Sequence, residues 1–202
     1  MIKTVIFFKR RPGMAVEAFR EHWRAQHAAL IVRLPGLRRY VQNYPLGDDP
    51  VFDAVAESSF DDTQAMKALA RTPEYAEVLA DEPRFIDRAS MGSIITEERV
   101  MKEGQAPASG IKRITFVRRE PETPVEEFFR WFFREGDRRA RDAAVLRSVH
   151  CVCRRAIYDS GRTPPWDGVE MCWYESLEAA SAAPALRGSA SLLASERPVS
   201  TP

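Results

Sequence analysis

The chain has 202 residues, of which 45% are hydrophobic and 29% charged, and its formal net charge at pH 7 is +1. A nearly neutral chain has no general electrostatic attraction to nucleic acid or to acidic membranes, so we expect neither as a partner. Its apolar runs are far shorter than the roughly 18 residues that cross a bilayer. Three cysteines are too few for a disulfide framework. With an N-terminus that resembles no signal peptide, these features favour the cytoplasm.

The first half of the chain alternates between strand and helix patterns. A β-rich run over residues 2–9 precedes apolar positions at helical spacing, which predict a helix over residues 16–33. The next predicted elements are strands over 37–44 and 52–60, a helix from residue 64 and a strand over 91–100. Asp61-Asp62-Thr63 is expected to cap that second helix. The order β-α-β-β-α-β is the ferredoxin-like pattern.

The beginning of the chain recurs 109 residues later. Residues 2–19 and 111–128 are identical at eight of 18 positions. A repeat of this length predicts two similar units, residues 1–101 and 111–202, joined by a polar linker over 102–110. The fold class is α+β, with two tandem ferredoxin-like βαββαβ units packed sheet-to-sheet. Such a sheet carries helices on one face, and the other face is expected to be largely apolar.

The second unit departs from the first in several places. Thr123-Pro124-Val125-Glu126 predicts a capping box at the start of its first helix. About five residues are inserted around residues 160–165. A short helix over residues 177–186 and a closing strand within residues 189–199 complete the unit. We expect one functional pocket, because Gly136 stands where the first unit has His27, and Val149 stands where it has Tyr40.

His27 lies on the apolar face of the first predicted helix. A positioned imidazole is useful as a general acid or base near neutral pH, because its ordinary pKa is near 6.5. The alternative is a buried histidine that braces helix against sheet. His22 lies near the edge of the same helix and is a weaker candidate for substrate binding.

Tyr40 and Tyr44 point to one face of the second strand, because side chains alternate along a strand. A phenol can donate a hydrogen bond to a developing enolate oxygen, which makes Tyr40 a candidate catalytic residue and Tyr44 a candidate binding residue. Phe7, Phe19 and Trp23 would line an aromatic-binding cavity or form part of the core.

Two further sets of side chains are interpreted as structural. Asp53 and Asp167 recur at the start of the third strand of each unit and are expected to bond turn amides. Cys151 and Cys153 share a strand face, near Cys172, as buried small apolar residues. No metal site and no cofactor is expected.

Residues 10–60 resemble the EthD family of the dimeric α/β-barrel superfamily. The resemblance rests on a basic strand end, Arg10-Arg-Pro-Gly, then Phe19, Trp23-Arg-Ala-Gln-His27-Ala and Pro35-Gly-Leu-Arg-Arg-Tyr40. A later family feature appears as Phe52-Asp-Ala-Val and again as Trp166-Asp-Gly-Val. The fold that the resemblance implies is a dimeric α/β-barrel formed within one chain.

The resemblance also implies a class of function: small enzymes that use no cofactor, and accessory proteins, of secondary metabolism or xenobiotic degradation. The first hypothesis is a lyase, cyclase or decarboxylase that transfers a proton on a hydrophobic aromatic or polyketide-like molecule. The second is a binding protein of the same pathway that does not catalyse a reaction. The third is a haem-binding relative, for which the sequence offers one axial histidine. A homodimer of whole chains is compatible with all three.

Overall fold

A computed structural model describes residues 1–107, 110–184, 186 and 188–200. The first part of the chain contains β1 (Ile2–Arg10), α1 (Val16–His22), a π-helical turn (Trp23–His27), α2 (Ala28–Ile31), β2 (Leu37–Pro45), β3 (Ala54–Phe60), α3 (Thr63–Ala68), a 3₁₀ turn (Leu69–Arg71), α4 (Pro73–Asp81), a second 3₁₀ turn (Glu82–Arg84) and β4 (Ile86–Lys102). The Asp62 carboxylate accepts a hydrogen bond from the backbone N–H of Ala65, at 2.8 Å, as the predicted cap requires.

The second part of the chain contains β5 (Ile111–Val117), α5 (Val125–Ala140), β6 (Arg147–Cys153), α6 (Arg155–Asp159), β7 (Gly168–Trp173), α7 (Leu177–Ala182) and β8 (Ser189–Val199). Eight β-strands and the helices between them make up the described part of the chain. The predicted α+β class is therefore confirmed. Within the described part of the chain, no helix is both long enough and apolar enough to span a membrane.

The chain divides into two compact units. The first comprises Met1–Tyr44, Phe52–Ser93 and the chain from Arg197. The second comprises Pro45–Val51 and Ile94–Glu196. In the first unit β3 pairs with both β1 and β2, and in the second unit β7 pairs with both β5 and β6, so each unit has the same antiparallel centre.

The repeat is visible in one hydrogen bond that both units make. The Asp53 carboxylate accepts from the backbone N–H of Arg10 at 2.9 Å, and the Asp167 carboxylate accepts from that of Arg119 at the same distance. Arg10 and Arg119 are equivalent in the repeat. Each carboxylate therefore satisfies an amide at the end of the first strand of its unit, which is the structural role expected for these residues.

The first helix is not one regular α-helix. The sequence predicted a continuous helix over residues 16–33, but the segment Trp23–His27 between α1 and α2 is π-helical. Apolar spacing alone does not distinguish these two states, because both keep Phe19 and Trp23 towards the core. The π turn determines the position of His27.

Two predictions about the second unit are wrong. The helix α5 begins after Pro124 without a side-chain cap, so the predicted capping box is not formed. Ser148 pairs with Cys172 between β6 and β7, which places Cys172 on the face opposite to Cys151 and Cys153. All three cysteines are free and buried, as small apolar side chains commonly are.

The sheet face away from the helices carries buried charge in addition to apolar side chains, which corrects the expectation of a largely apolar face. Lys3 and Glu57 form an ion pair at 2.8 Å, and the Asn43 amide donates to the same carboxylate at 3.1 Å. In the second unit, Lys112 is fully buried and pairs with Glu196 at 2.8 Å. A buried charge costs free energy unless it is paired, and these contacts supply the pairing.

Replacing Asp53 with alanine tests the structural role of the repeated carboxylate. The change removes both the bond to the Arg10 amide and the 2.6 Å ion pair with its guanidinium. Hydrogen bonds to charged groups contribute about 2 kcal/mol, so we expect the free energy of unfolding to fall by about that much in urea denaturation. The exposed Asp48→Ala is the control and should be nearly neutral. Equal stability of the two variants would contradict the assigned role.

Candidate functional site

Two imidazoles and one carboxylate meet at the end of α4. His27 Nδ1 lies 3.0 Å from Asp81 Oδ2, and His22 Nε2 lies 2.9 Å from Asp81 Oδ1. Asp81 is 5% exposed and His27 is 6% exposed, whereas His22 is half-buried. The candidate site is therefore a buried carboxylate that holds one buried imidazole and one that reaches the surface.

The π-helical turn explains why His22 and His27 can share a partner. Residues five apart are separated by about 140° in an α-helix, and sequence analysis accordingly placed His22 near the edge of the helix. A π turn closes its hydrogen bonds from residue i to residue i+5, which brings such residues to the same side. The turn over Trp23–His27 therefore aligns both imidazoles towards Asp81.

The charge state of the site follows from its hydrogen bonds. An ionised carboxylate only accepts hydrogen bonds, so a neutral His27 bonded to Asp81 carries its proton on Nδ1. Burial lowers the pKa of His27, and the hydrogen bond that His27 donates to Asp81 only partly opposes this effect. The imidazole is therefore neutral at pH 7. Within the described residues no hydrogen bond is seen at its Nε2, which leaves that atom able to accept a proton.

Phe85 supports both imidazoles. Its ring lies 4.7 Å from the His22 ring in a stacked arrangement and 4.8 Å from the His27 ring. Phe8 and Phe19 pack against the other parts of Phe85, at 6.1 and 5.9 Å. Such a packed aromatic cluster fixes the orientation of both imidazoles and covers His27, which is buried.

Tyr40 and Tyr44 lie in a separate hydrogen-bonded group. The Tyr40 hydroxyl accepts from Trp23 Nε1 at 3.1 Å and is fully buried, which raises its pKa. The Tyr44 hydroxyl donates to Gln42 Oε1 at 2.7 Å, and Arg197 Nη1 donates to the same oxygen at 2.9 Å. Burial raises the pKa of Tyr44 to about 12, against the opposing effect of Arg197. Both phenols are therefore hydrogen-bond donors at neutral pH.

The predicted aromatic wall is divided between the two faces of the sheet. Phe19 and Trp23 are buried on the helix side, where Phe8 contacts both rings. Phe7 points to the opposite face and packs against Phe52, with the ring centroids 4.6 Å apart. The ring that packs against Phe19 and Trp23 is therefore that of Phe8, and not that of Phe7 as the sequence predicted.

Sequence reasoning missed Asp81 and Phe85. A signal for Asp81 was present: it lies three residues after Val78 in α4, so the two share a helix face, and Val78 is buried. An acidic residue on a buried helix face requires a partner. Phe85 follows the 3₁₀ turn and carries no periodic signal.

The residues of the site do not form a metal centre. Among the residues that the structure describes, no cluster of three or more histidine, cysteine, aspartate or glutamate side chains has the geometry to hold a metal ion. The site is instead a hydrogen-bonded histidine–carboxylate pair with a second histidine beside it.

Comparison with known proteins finds one family model that is similar to the first part of the chain. Residues 11–89, which include His22, His27 and Asp81, match the EthD domain. This match includes most of the segment whose residue pattern resembles the EthD family. A search of curated proteins finds no match.

Two solved structures match this chain over nearly its whole length, and a third matches about half of it. An anthrone oxidase-like protein superposes with a TM-score of 0.68 at 9% identity, over 98% of this chain and 92% of its own. A proposed monooxygenase of Fusobacterium nucleatum subsp. nucleatum gives 0.65 at 10% identity, over 98% and 93%. An EthD family protein of Bacillus halodurans, at 26% identity and a TM-score of 0.43, covers 49% of this chain and 100% of its own. The first two likenesses establish the fold alone.

The lowered pKa of His27 predicts how stability depends on pH. The unfolded chain takes up a proton at this residue near pH 6.5, whereas the folded protein does so only at lower pH. The unfolded state therefore binds more protons in this window, and the free energy of unfolding falls as the pH is lowered from about 6.5. In His27→Gln this contribution is absent, so its unfolding free energy should depend less on pH in urea titrations between about pH 5 and 7.5. An equal or steeper dependence in the variant would contradict the assignment.

Proposed function

We propose that the chain is an enzyme without a cofactor that transfers protons on a hydrophobic aromatic or polyketide-like small molecule. The observation that carries this proposal is the His27–Asp81 pair. A carboxylate bonded to one imidazole nitrogen orients the ring and stabilises the imidazolium that forms when the other nitrogen takes a proton. His27 is the proposed general base and Asp81 its positioning residue.

The chemistry that fits this pair is the formation of an enolate. His27 Nε2 takes a proton from a carbon next to a carbonyl group, the C–H electron pair becomes the enolate double bond, and the negative charge moves to the carbonyl oxygen. In a lyase reaction the enolate re-forms its carbonyl group and expels a leaving group from the β carbon, which takes the proton from the His27 imidazolium. In a cyclase reaction the enolate carbon attacks a second carbonyl carbon of the same molecule, and the oxygen of that carbonyl takes the proton from the imidazolium. In decarboxylation of a β-keto acid, His27 Nε2 first takes the proton of the carboxyl group, and the enolate left by loss of carbon dioxide then takes that proton back from the imidazolium.

An enolate oxygen requires a hydrogen-bond donor in the site. Tyr40 and Tyr44 are the proposed donors, because burial keeps both hydroxyls protonated. Tyr44 would turn its proton from Gln42 Oε1 to the enolate, while Arg197 continues to donate to that oxygen. Tyr44 is half-buried and Tyr40 is fully buried, so Tyr44 is the more accessible of the two. His22 and the aromatic side chains around His27 are the proposed contacts for an aromatic substrate.

One structural relative supports this substrate class through its description. Anthrone, after which the anthrone oxidase-like protein is named, is a tricyclic aromatic ketone with an acidic methylene group. Removing a proton from that carbon gives an enolate, which is the step proposed for His27. The same fold in that protein makes anthrones a rational first choice of test compound.

A non-catalytic binding protein is the second candidate, and one observation favours it. The Tyr40 hydroxyl is engaged by Trp23, and His27 by Asp81, so no contact joins the two groups in the described residues. Phe19 and Trp23 are packed in the core, at 1% and 0% exposure. A protein that binds an aromatic molecule without turnover needs no convergence of Tyr40 with His27.

Hydrogen–deuterium exchange at carbon distinguishes the two functions. Anthrone and a series of aromatic β-diketones are incubated with protein in D₂O, and exchange is followed by NMR above the buffer rate. The enzyme proposal predicts exchange of at least one compound that falls about 100-fold or more in His27→Gln. The matched control is Gln26→Ala, since Gln26 is an exposed residue of the same π turn and should keep the wild-type rate.

Each outcome of the exchange experiment decides between the candidates. Saturable binding of a compound without exchange would support the binding protein. Exchange that persists in His27→Gln would remove His27 as the base, even if the chain is an enzyme.

A further inference from the structure

The second unit contains a cavity of about 410 Å³ that the function proposed for the first unit does not use. Its walls come from residues 46–51, from Arg113 in β5, from the helix α7 and from the strand β8. A cavity of this volume is in the range of small-molecule binding sites. The sequence predicted one functional pocket, in the first unit, so a site here is additional.

The cavity lies beside the shortest part of the repeat. In the first unit, residues 63–84 between β3 and β4 form two helices and two 3₁₀ turns. The corresponding connection from β7 to β8 has a single helix in its described residues, α7, of only six residues. A shorter helix covers less of the sheet. The helix-side face of β5 and β8 is therefore partly uncovered, and residues 46–51 border the space that remains.

Much of the cavity wall is apolar. Val51 is 39% exposed, so part of this wall is open to solvent. Burial of apolar surface is favourable, and an apolar group of a ligand would cover these side chains. The apolar residues of the wall are Leu46, Pro50, Val51, Ala180, Leu192 and Leu193.

Arg113 brings a positive charge to the cavity. Its Nε donates to Ser191 Oγ at 3.1 Å, and its Nη1 donates to the carbonyl oxygens of Ala180 and Ala183. All three partners are uncharged. Among the described residues the guanidinium forms no ion pair with a carboxylate, and its Nη2 donates no hydrogen bond. A guanidinium held in one orientation with free N–H donors suits a carboxylate ligand.

Two carboxylates also line the cavity, which decides what kind of ligand fits. Asp48 and Asp49 follow Gly47, and both are exposed. Neither forms an ion pair with Arg113, and Asp48 forms none with any described residue. These carboxylates would repel a ligand that carries only negative charge. A ligand with one negative and one positive group can pair with Arg113 and with Asp48 at once.

We propose that this cavity binds a free amino acid with an apolar side chain. The Arg113 guanidinium donates to the ligand carboxylate through Nη2, and the Asp48 carboxylate accepts from the ligand ammonium group. The apolar wall covers the side chain of the ligand. An analogue that lacks one charged group leaves Arg113 or Asp48 without its partner, which is the basis of selectivity. This site lies beyond the function proposed for the first unit and does not depend on it.

Calorimetric titration of the full chain with leucine tests the proposal, with three analogues that each lack one part of leucine. Isocaproate lacks the ammonium group, isoamylamine lacks the carboxylate, and glycine lacks the apolar side chain. We expect leucine to bind saturably and each analogue to bind at least about tenfold more weakly. Absence of saturable leucine binding up to about 10 mM, or an affinity for any analogue equal to that for leucine, would overturn the proposal.

Substitutions assign the two charged ends of the ligand. Asp48→Asn should weaken leucine binding by about tenfold or more without weakening that of isocaproate, which has no ammonium group. Arg113→Lys keeps the charge but loses the planar fork, so it should weaken leucine binding to a similar degree without weakening that of isoamylamine.

Two exposed residues of the second unit provide matched controls. Glu178→Gln in α7 and Arg134→Gln in α5 remove the same charges away from the cavity, and both variants should bind leucine as the wild type does. Urea denaturation checks that Arg113→Lys is folded, because Arg113 also bonds backbone carbonyls. If it is not folded, Asp48→Asn decides, since Asp48 is exposed. Wild-type leucine affinity in Asp48→Asn or in folded Arg113→Lys would overturn the assignment.

Discussion

The buried carboxylate of Asp81 is the interaction on which the first unit depends. A carboxylate that is 5% exposed is costly unless hydrogen bonds compensate for its lost hydration. His22 and His27 supply those hydrogen bonds, and both can do so only because the helix passes through a π turn. The aromatic cluster around Phe85 holds both imidazole rings and covers the buried His27. The same contacts that stabilise the carboxylate leave His27 neutral with one nitrogen open, which is the state that proton transfer requires.

The internal repeat provides a second constraint, because the two copies have diverged in sequence while each still packs its helices against a sheet. The carboxylates of Asp53 and Asp167 make the same bond in both units, so the ends of the first strands are built alike. The space between helix and sheet has diverged. It holds an imidazole in each unit: His27 comes from a helix and bonds Asp81, whereas His150 comes from the strand β6 and lies 3.3 Å from Glu170. The two histidine–carboxylate pairs therefore reflect the common packing rather than retained residues.

The sequence predicted the elements well because their signals are local. Apolar spacing, turn residues and the repeat gave all eight strands, the closing strand over residues 189–199 included. The site was harder to predict because its contacts are distant: Asp81 is 54 residues from His27. Phe7 and Phe8 show a second difficulty. The alternation of side chains along a strand predicts that Phe7 and Phe8 face opposite ways, but it does not determine which of the two faces the helix. The positions of β6 were aligned with those of β2 by the constant offset of 109 residues. The irregularity between Leu37 and Arg39 adds one residue to β2, so this alignment is wrong by one residue beyond it.

The most direct test of the account is the protonation state of His27 at pH 7.5, measured from its two ring nitrogen signals in ¹⁵N NMR. A neutral imidazole bonded through Nδ1 to the Asp81 carboxylate must carry its proton on Nδ1, with Nε2 unprotonated, and Asp81→Asn should remove this preference. A neutral ring with the proton on Nε2, or an imidazolium at pH 7.5, would contradict it.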